Sequence, residues 1–152
     1  MNFTIKPIAF VSNARTEIKD DHWGSVVSEI ELAQDVPEAS LKNISMFNQL
    51  DIIYLFDQVK DQDIVYSGHP RGNPDFPEMG IFAQRKKDRP NRIGLCRVEL
   101  IQHSGRKLLV KHLDAIAGTP VLDIKPVFNE FELNSPIKQP AWVELLMKNY
   151  WI

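Results

Sequence analysis

The chain has 152 residues, 18 basic and 20 acidic, for a formal net charge of −2. That length suits one domain, 1–152, and an apolar share of 43% with 25% charged residues excludes disorder as the main state. No window approaches 18 consecutive apolar residues, which excludes a helical membrane span, and the near-neutral charge excludes a general coat of nucleic-acid affinity.

In chain order, Met1 to Lys6 lacks the apolar core of a signal peptide, so a cytoplasmic location is expected. Phe3, Ile5, Pro7 and Ala9 alternate with other positions as in a strand, and Val26 to Leu32 reads as a second one. Pro37 to Met46 predicts a short helix, with Leu41, Ile44 and Phe47 on one face and proline in its first turn. Leu50 to Val59 is a more continuous apolar run, the pattern of a strand buried on both faces. Residues 95–102 and 107–113 alternate around His103-Ser104-Gly105-Arg106, which predicts an antiparallel hairpin. Val121 to Ile124 forms a further strand between Pro120 and Pro126. From Pro140 to Tyr150, Trp142, Leu145, Leu146 and Tyr150 fall at helical spacing and with Trp151 make an apolar surface, for the chain's own barrel or for a partner subunit. Many short strands and few helices give the expected fold: mainly β, a small antiparallel β-barrel with a short helix and a C-terminal helix.

Three stretches carry chemistry. Residues 68–80, GHPRGNPDFPEMG, are too rich in proline and glycine for regular structure, and a loop of this length is either functional or a plain connector; Arg71 and His69 are its polar candidates. Residues 85–97 hold six basic residues and one acid, leaving the remainder of the chain at −7. Such a concentration suits a phosphate- or carboxylate-bearing partner, with Arg71, Arg85, Lys86, Lys87 and Arg92 as its contacts, or is a solvated charged loop. In residues 112–126, Asp114 and Asp123 bracket Gly118-Thr119-Pro120 and could accept hydrogen bonds from a ribose or an amine, or could cap turns. The histidines are scattered and Cys96 lies inside an apolar strand, so a metal site is not expected and the thiol reads as packed and inert.

IFAQRKKDRPNRIGLCRVEL (81–100) and LDAIAGTPVLDIKPV (113–127) together resemble the TsaA-like (YaeB/TrmO) methyltransferases. The resemblance runs from about Ile8 to Val127. It implies a barrel that binds S-adenosylmethionine (SAM), a homodimer with the cofactor near its interface, and methylation of the exocyclic amine of threonylcarbamoyl-adenosine beside the tRNA anticodon. Carried over by motif, Arg89 would contact the cofactor, as would Asp57 and Gln58, the backbone of Ala115, Ile116, Ala117 and Gly118, the loop His22-Trp23-Gly24, and Glu99. The family's Thr-Arg-Ser-Pro is here Gln84-Arg85-Lys86-Lys87, its Asp-Gly-Thr-Pro is Ala117-Gly118-Thr119-Pro120, and its terminal tyrosine is Val127. Methyl transfer to an amine needs a proton acceptor, for which Asp57, Asp114 and Asp123 are candidates. Three readings are open: a tRNA methyltransferase, a SAM-dependent methyltransferase of a small metabolite, and a non-enzymatic module that binds adenosyl ligands.

Overall fold

The computed structural model describes all 152 residues. Eight strands form, β1 (Ala9–Ser12), β2 (Val27–Leu32), β3 (Gln49–Leu55), β4 (Ser67–Gly68), β5 (Met79–Gly80), β6 (Ile93–Ser104), β7 (Lys107–Lys111) and β8 (Pro120–Pro126), together with one helix, α1 (Ala141–Met147). Six of the strands close into a barrel in the order β1-β2-β7-β6-β3-β8, with every pairing antiparallel. The expected small barrel with a C-terminal helix is therefore present. No helix is long and apolar enough to cross a membrane.

Alternation along the strands decides what fills the interior, because successive side chains point to opposite faces. Ala9 and Val11, Ile30 and Leu32, Leu50 and Ile52, Cys96 and Val98, Leu108 and Val110, and Val121 are buried there. Ser28, the one hydroxyl on an inner face of β2, is fully buried and accepts a hydrogen bond from Asn13 Nδ2 at 2.9 Å, which offsets its loss of water.

Three local expectations change. Phe3 and Ile5 are exposed rather than part of a strand, since hydrogen bonding to the neighbouring segments reaches back only to Ile8, whose N–H donates to the Val121 carbonyl and whose carbonyl accepts from Ala33. The run from Leu50 to Val59 is not one strand buried on both faces: β3 stops at Leu55 and alternates, with Leu50, Ile52 and Tyr54 inside. A barrel this small has one interior, so its strands have one dry face. The short helix of 37–46 is two 3₁₀ turns, Glu38–Leu41 and Ile44–Met46, separated by Asn43 at φ 63°. Leu41 still reaches the core.

The hairpin between β6 and β7 turns at Gly105-Arg106, where Gly105 adopts φ 56°. The proline-rich loop of 68–80 carries only the two-residue pairing of β4 with β5 and a 3₁₀ turn at Pro70–Gly72. Register then places the remaining loops together. Leu55 pairs with Ile93, Lys111 with Val27, and Ser12 with Glu29. The segments after β1, before β2, after β3, before β6 and after β7 consequently all emerge at one end of the barrel.

Candidate functional site

At that end the loops enclose a cleft of about 950 Å3, at the large end of the range for small-molecule sites. Its walls are the end of β3 with the residues after it (Tyr54 to Val59), the loop Gln84–Asn91, the start of β6, Asp114 to Ile116, Trp23, and the C-terminal residues Trp142, Leu146, Met147, Tyr150 and Trp151.

The floor of the cleft is built around Tyr54. Its partner across the ladder is Gly94, and a Cβ at that position would lie 2.5 Å from two carbons of the Tyr54 ring. The absence of a side chain at 94 is what lets the ring lie over β6. A bulge in the β3–β8 pairing between Ile53 and Tyr54 re-aims the ring toward the loops. The Tyr54 hydroxyl then donates to Asp114 Oδ1 at 2.7 Å, while the Tyr150 hydroxyl donates to Asp114 Oδ2 at 2.6 Å. One carboxylate thus joins the end of β3, the segment after β7 and the C-terminus. Hydrogen bonds to a charged acceptor in a partly dry site are the stronger kind. Burial first, then the charge of Asp114 and its hydrogen bond, push the Tyr54 hydroxyl well above the usual tyrosine range, and the same causes in the same order raise Tyr150.

Cys96 lies beside this group, and its thiol donates to the carbonyl of His112 at 2.8 Å. Burial, and after it the charge of Asp114, push the thiol up, so it is held as S–H and is a poor nucleophile.

The basic stretch proves to be largely internally paired. Arg85 Nη2 donates to the Leu95 carbonyl at 2.5 Å, and Lys86 and Lys87 meet Asp88 at 3.4 and 2.7 Å. Arg89 Nη1 donates to the Gln84 carbonyl at 2.8 Å and so shapes the loop it belongs to. Gln84 in turn is buried and donates from Nε2 to the carbonyls of Gly68 and Met79, tying the loop to the β4–β5 pair. Arg97 spans Asp51 and Glu132, which hold it protonated, above its ordinary value. Arg71, at φ 51°, pairs with Asp21 through Nη2 at 2.8 Å and closes the opposite rim.

Of the candidate cofactor, substrate and catalytic residues read from the sequence, Trp23, Asp57, Gln58, Arg71, Arg85, Lys86, Lys87, Arg89, Asp114, Ala115 and Ile116 line the cleft. The others do not. Arg92 turns away to donate to the Val59 carbonyl at 2.6 Å and to meet Asp61. Glu99 is on the outer face of β6, and Asp123 is on β8, where it pairs with Lys125 at 2.7 Å. The backbone N–H groups of Ala117 and Gly118 are spent on the carbonyls of Arg15 and Val11, fixing the loop after β1, and Gly118 serves its φ of 88°. His22 and Gly24 flank Trp23 and face the C-terminal segment. Tyr54 and Phe56 escaped the sequence reading because they sit in an apolar run that reads as core. Gly94, at the start of β6, is the available signal, since a glycine in a strand marks a close approach.

Residues 9–133 match the family model described as the tRNA-methyltransferase O N-terminal domain. The chain belongs to this family. A probable S-adenosyl-L-methionine-binding protein of Pyrococcus abyssi is 32% identical over 91% of this chain and 75% of its own length. One from Archaeoglobus fulgidus is 43% identical over 64% of this chain, and the match spans 25% of that relative's length. The human tRNA (adenine(37)-N6)-methyltransferase is 32% identical over 68% of this chain and 23% of its own. The crystal structure of TrmO from P. aeruginosa superposes with a TM-score of 0.75 at 22% identity, covering 93% of this chain and 62% of that one, a likeness of fold. The motif-bearing loop 84–91 and the segment 114–116, separate in sequence, are thus two walls of one cleft in a family barrel.

Proposed function

We propose that this protein is a SAM-dependent methyltransferase that acts on the exocyclic amine of a modified adenosine, threonylcarbamoyl-adenosine, beside the tRNA anticodon. The observation that carries the reading is the convergence of both family motifs on one large cleft whose floor is a carboxylate held by two phenols. The residues suit the cofactor. Carboxylates Asp57 and Asp114 and the aromatic rings of Phe56 and Tyr150 favour a sulfonium cation, and backbone at Ala115 and Ile116 can face an adenosyl group. When bound, the cofactor supplies a methyl group already activated for displacement. The chain's own work is alignment and exclusion of water, for which the aromatic walls serve. Arg89 orders the loop 84–86 on the cofactor side, and Asp57 or Asp114 takes the proton that the acceptor amine gives up. Asp123, outside the cleft, is not part of this assignment. The protein acts in the cytoplasm, where tRNA is found, and as a homodimer.

A second reading has a specific observation behind it. Lys86, Lys87, Arg92 and Arg97 meet carboxylates of their own chain, which lowers what the basic stretch can offer a polyphosphate. A small-molecule acceptor would fit a cleft of this size without a nucleic-acid groove. Transfer of labelled methyl from SAM into total tRNA, run beside a small-metabolite fraction, separates the two. Label in a modified adenosine after digestion supports the tRNA reading, and label in the metabolite fraction alone replaces it with the second. No transfer to either overturns both.

A further inference from the structure

The family match ends at residue 133, yet five of the residues that wall the cleft lie beyond it, in α1 and the two turns after it. Pro140 at the start of α1 fixes the entry of the segment, and Trp142, Leu146 and Met147, at helical spacing, turn toward the barrel while Leu145 stays exposed. Trp142 packs on Phe76 of the proline-rich loop, with ring centroids 6.1 Å apart. After α1 the backbone runs against the loop before β2. The N–H groups of His22 and Trp23 donate to the carbonyls of Asn149 and Tyr150 at 3.0 and 2.8 Å.

Gly24 shows how close the two backbones are. A Cβ there would lie 1.8 Å from the carbonyl oxygen of Trp151, a backbone atom that has no rotamer by which to escape. His22 is held at φ 68° to present these N–H groups. From the other side, the Arg15 guanidinium stacks 3.8 Å over the Trp23 ring and donates to the carbonyls of His22 and Lys19. Trp23 is consequently clamped between the loop after β1 and the C-terminal segment, and the segment itself is fastened to the floor by Tyr150 on Asp114 Oδ2.

We propose that residues 140–151 are a strap that completes the cleft, and that Tyr150 is a positioning residue, holding Asp114 from the side opposite Tyr54 while its backbone seats Trp23. Without the Tyr150 hydroxyl, one oxygen of Asp114 has no protein donor and the segment that seats the Trp23 loop loses its tie to the floor, so the wall facing the ligand loosens. This inference rests on the reading of the cleft as a SAM site; the strap's seat on residues 22–24 can be tested apart from it.

The test uses the full chain and two substitutions. Tyr150→Phe keeps the ring and removes the donor; Gly24→Ala forces the strap off its seat. SAM affinity is read by calorimetry, and amide exchange at His22 and Trp23 is read without ligand. Tyr150→Phe is expected to weaken SAM binding about tenfold, as for a lost hydrogen bond to a charged group. Placed in an Asp114→Ala background it should cost clearly less, because it acts through that carboxylate. Gly24→Ala should speed exchange at both amides and weaken SAM as well. Equal cost of Tyr150→Phe with and without Asp114 would reduce Tyr150 to packing and overturn its positioning role. Unchanged exchange and unchanged SAM affinity in Gly24→Ala would overturn the strap. If the wild-type chain gives no heat with SAM, the cofactor reading fails. The exchange result for Gly24→Ala then decides the strap by itself, faster exchange supporting it and unchanged exchange overturning it.

Discussion

The two ends of this barrel are made from the same six strands and could hardly differ more in what they carry. At one end β6 turns into β7 through Gly105-Arg106, and two 3₁₀ turns close the space before β3 with Leu41 buried beneath them. A hollow of about 290 Å3, lined by Ser45 to Asn48 and Leu100 to His103, lies there. At the other end long loops enclose about 950 Å3 and bring together Asp114, two tyrosines, Cys96 and the motif loop before β6. A tight connection such as that from β6 to β7 leaves the backbone little to do but turn. Long ones must satisfy their polar groups against one another, and here the bonds that do so, from Gln84, Arg89, Asn13 and Tyr54, are also those that shape the cleft.

If the ends depend on a shared barrel, damage to its middle should affect both. Ile52 is fully buried in β3, between the two ends. Ile52→Ala is expected to cost about 2–5 kcal/mol, or roughly 2–4 °C in Tm for each kcal/mol, seen as one thermal transition. Separate transitions for the two ends would break the comparison by making them independent units. A smaller and local effect is expected at the cleft floor. Gly94→Ala drives a methyl into the Tyr54 ring and should cost about 1–3 kcal/mol by overpacking. Amide exchange should rise around residues 54–58 and 114–116 while the turn at 105–106 keeps its protection. Equal loosening at both ends would show that the floor is not a distinct element.

A third effect, confined to the cleft end, is expected in alkali. Cys96, Tyr54 and Tyr150 all belong to the cleft end, and burial raises each above its ordinary value. In the unfolded chain the thiol titrates near about 8.5 and the phenols near about 10. Between those values and the raised folded ones, the folded state keeps protons that the unfolded state releases. The stabilisation is thus full below about pH 8.5 and declines above it, by about 1.4 kcal/mol per pH unit for each group once it ionises in the unfolded chain. Denaturant melts from pH 7 to 11 should show this fall, and Cys96→Ser should flatten its first part. Stability flat to pH 11 would place these groups in water rather than in a dry floor.

Much of this was legible in the residues. Alternation over Val26 to Leu32, the hairpin around Gly105 and the strand between Pro120 and Pro126 were each fixed by local pattern, as was the C-terminal helix by the spacing of Trp142, Leu145, Leu146 and Tyr150, although the helix ends at Met147 and Leu145 faces solvent. The two motif stretches named the family before any contact was known, because loop sequences tied to a backbone shape are distinctive. Local pattern misled where partners were needed: Phe3 and Ile5 alternate but have no neighbouring strand, and the basic run at 85–97 looks free only while Asp51, Asp61 and Glu132 are unseen.

What the sequence by itself determined is the barrel and the family, since period-2 burial and turn residues act over a few positions. Only the tertiary structure decided the cleft. Barrel closure and the docking of the C-terminal segment bring Tyr54 and Tyr150, almost a hundred residues apart, onto the carboxylate of Asp114, and leave Glu99, Arg92 and Asp123 away from it. The reason is physical: a side chain's face follows from its own strand, but its neighbour across the barrel follows from closure, which depends on every strand at once.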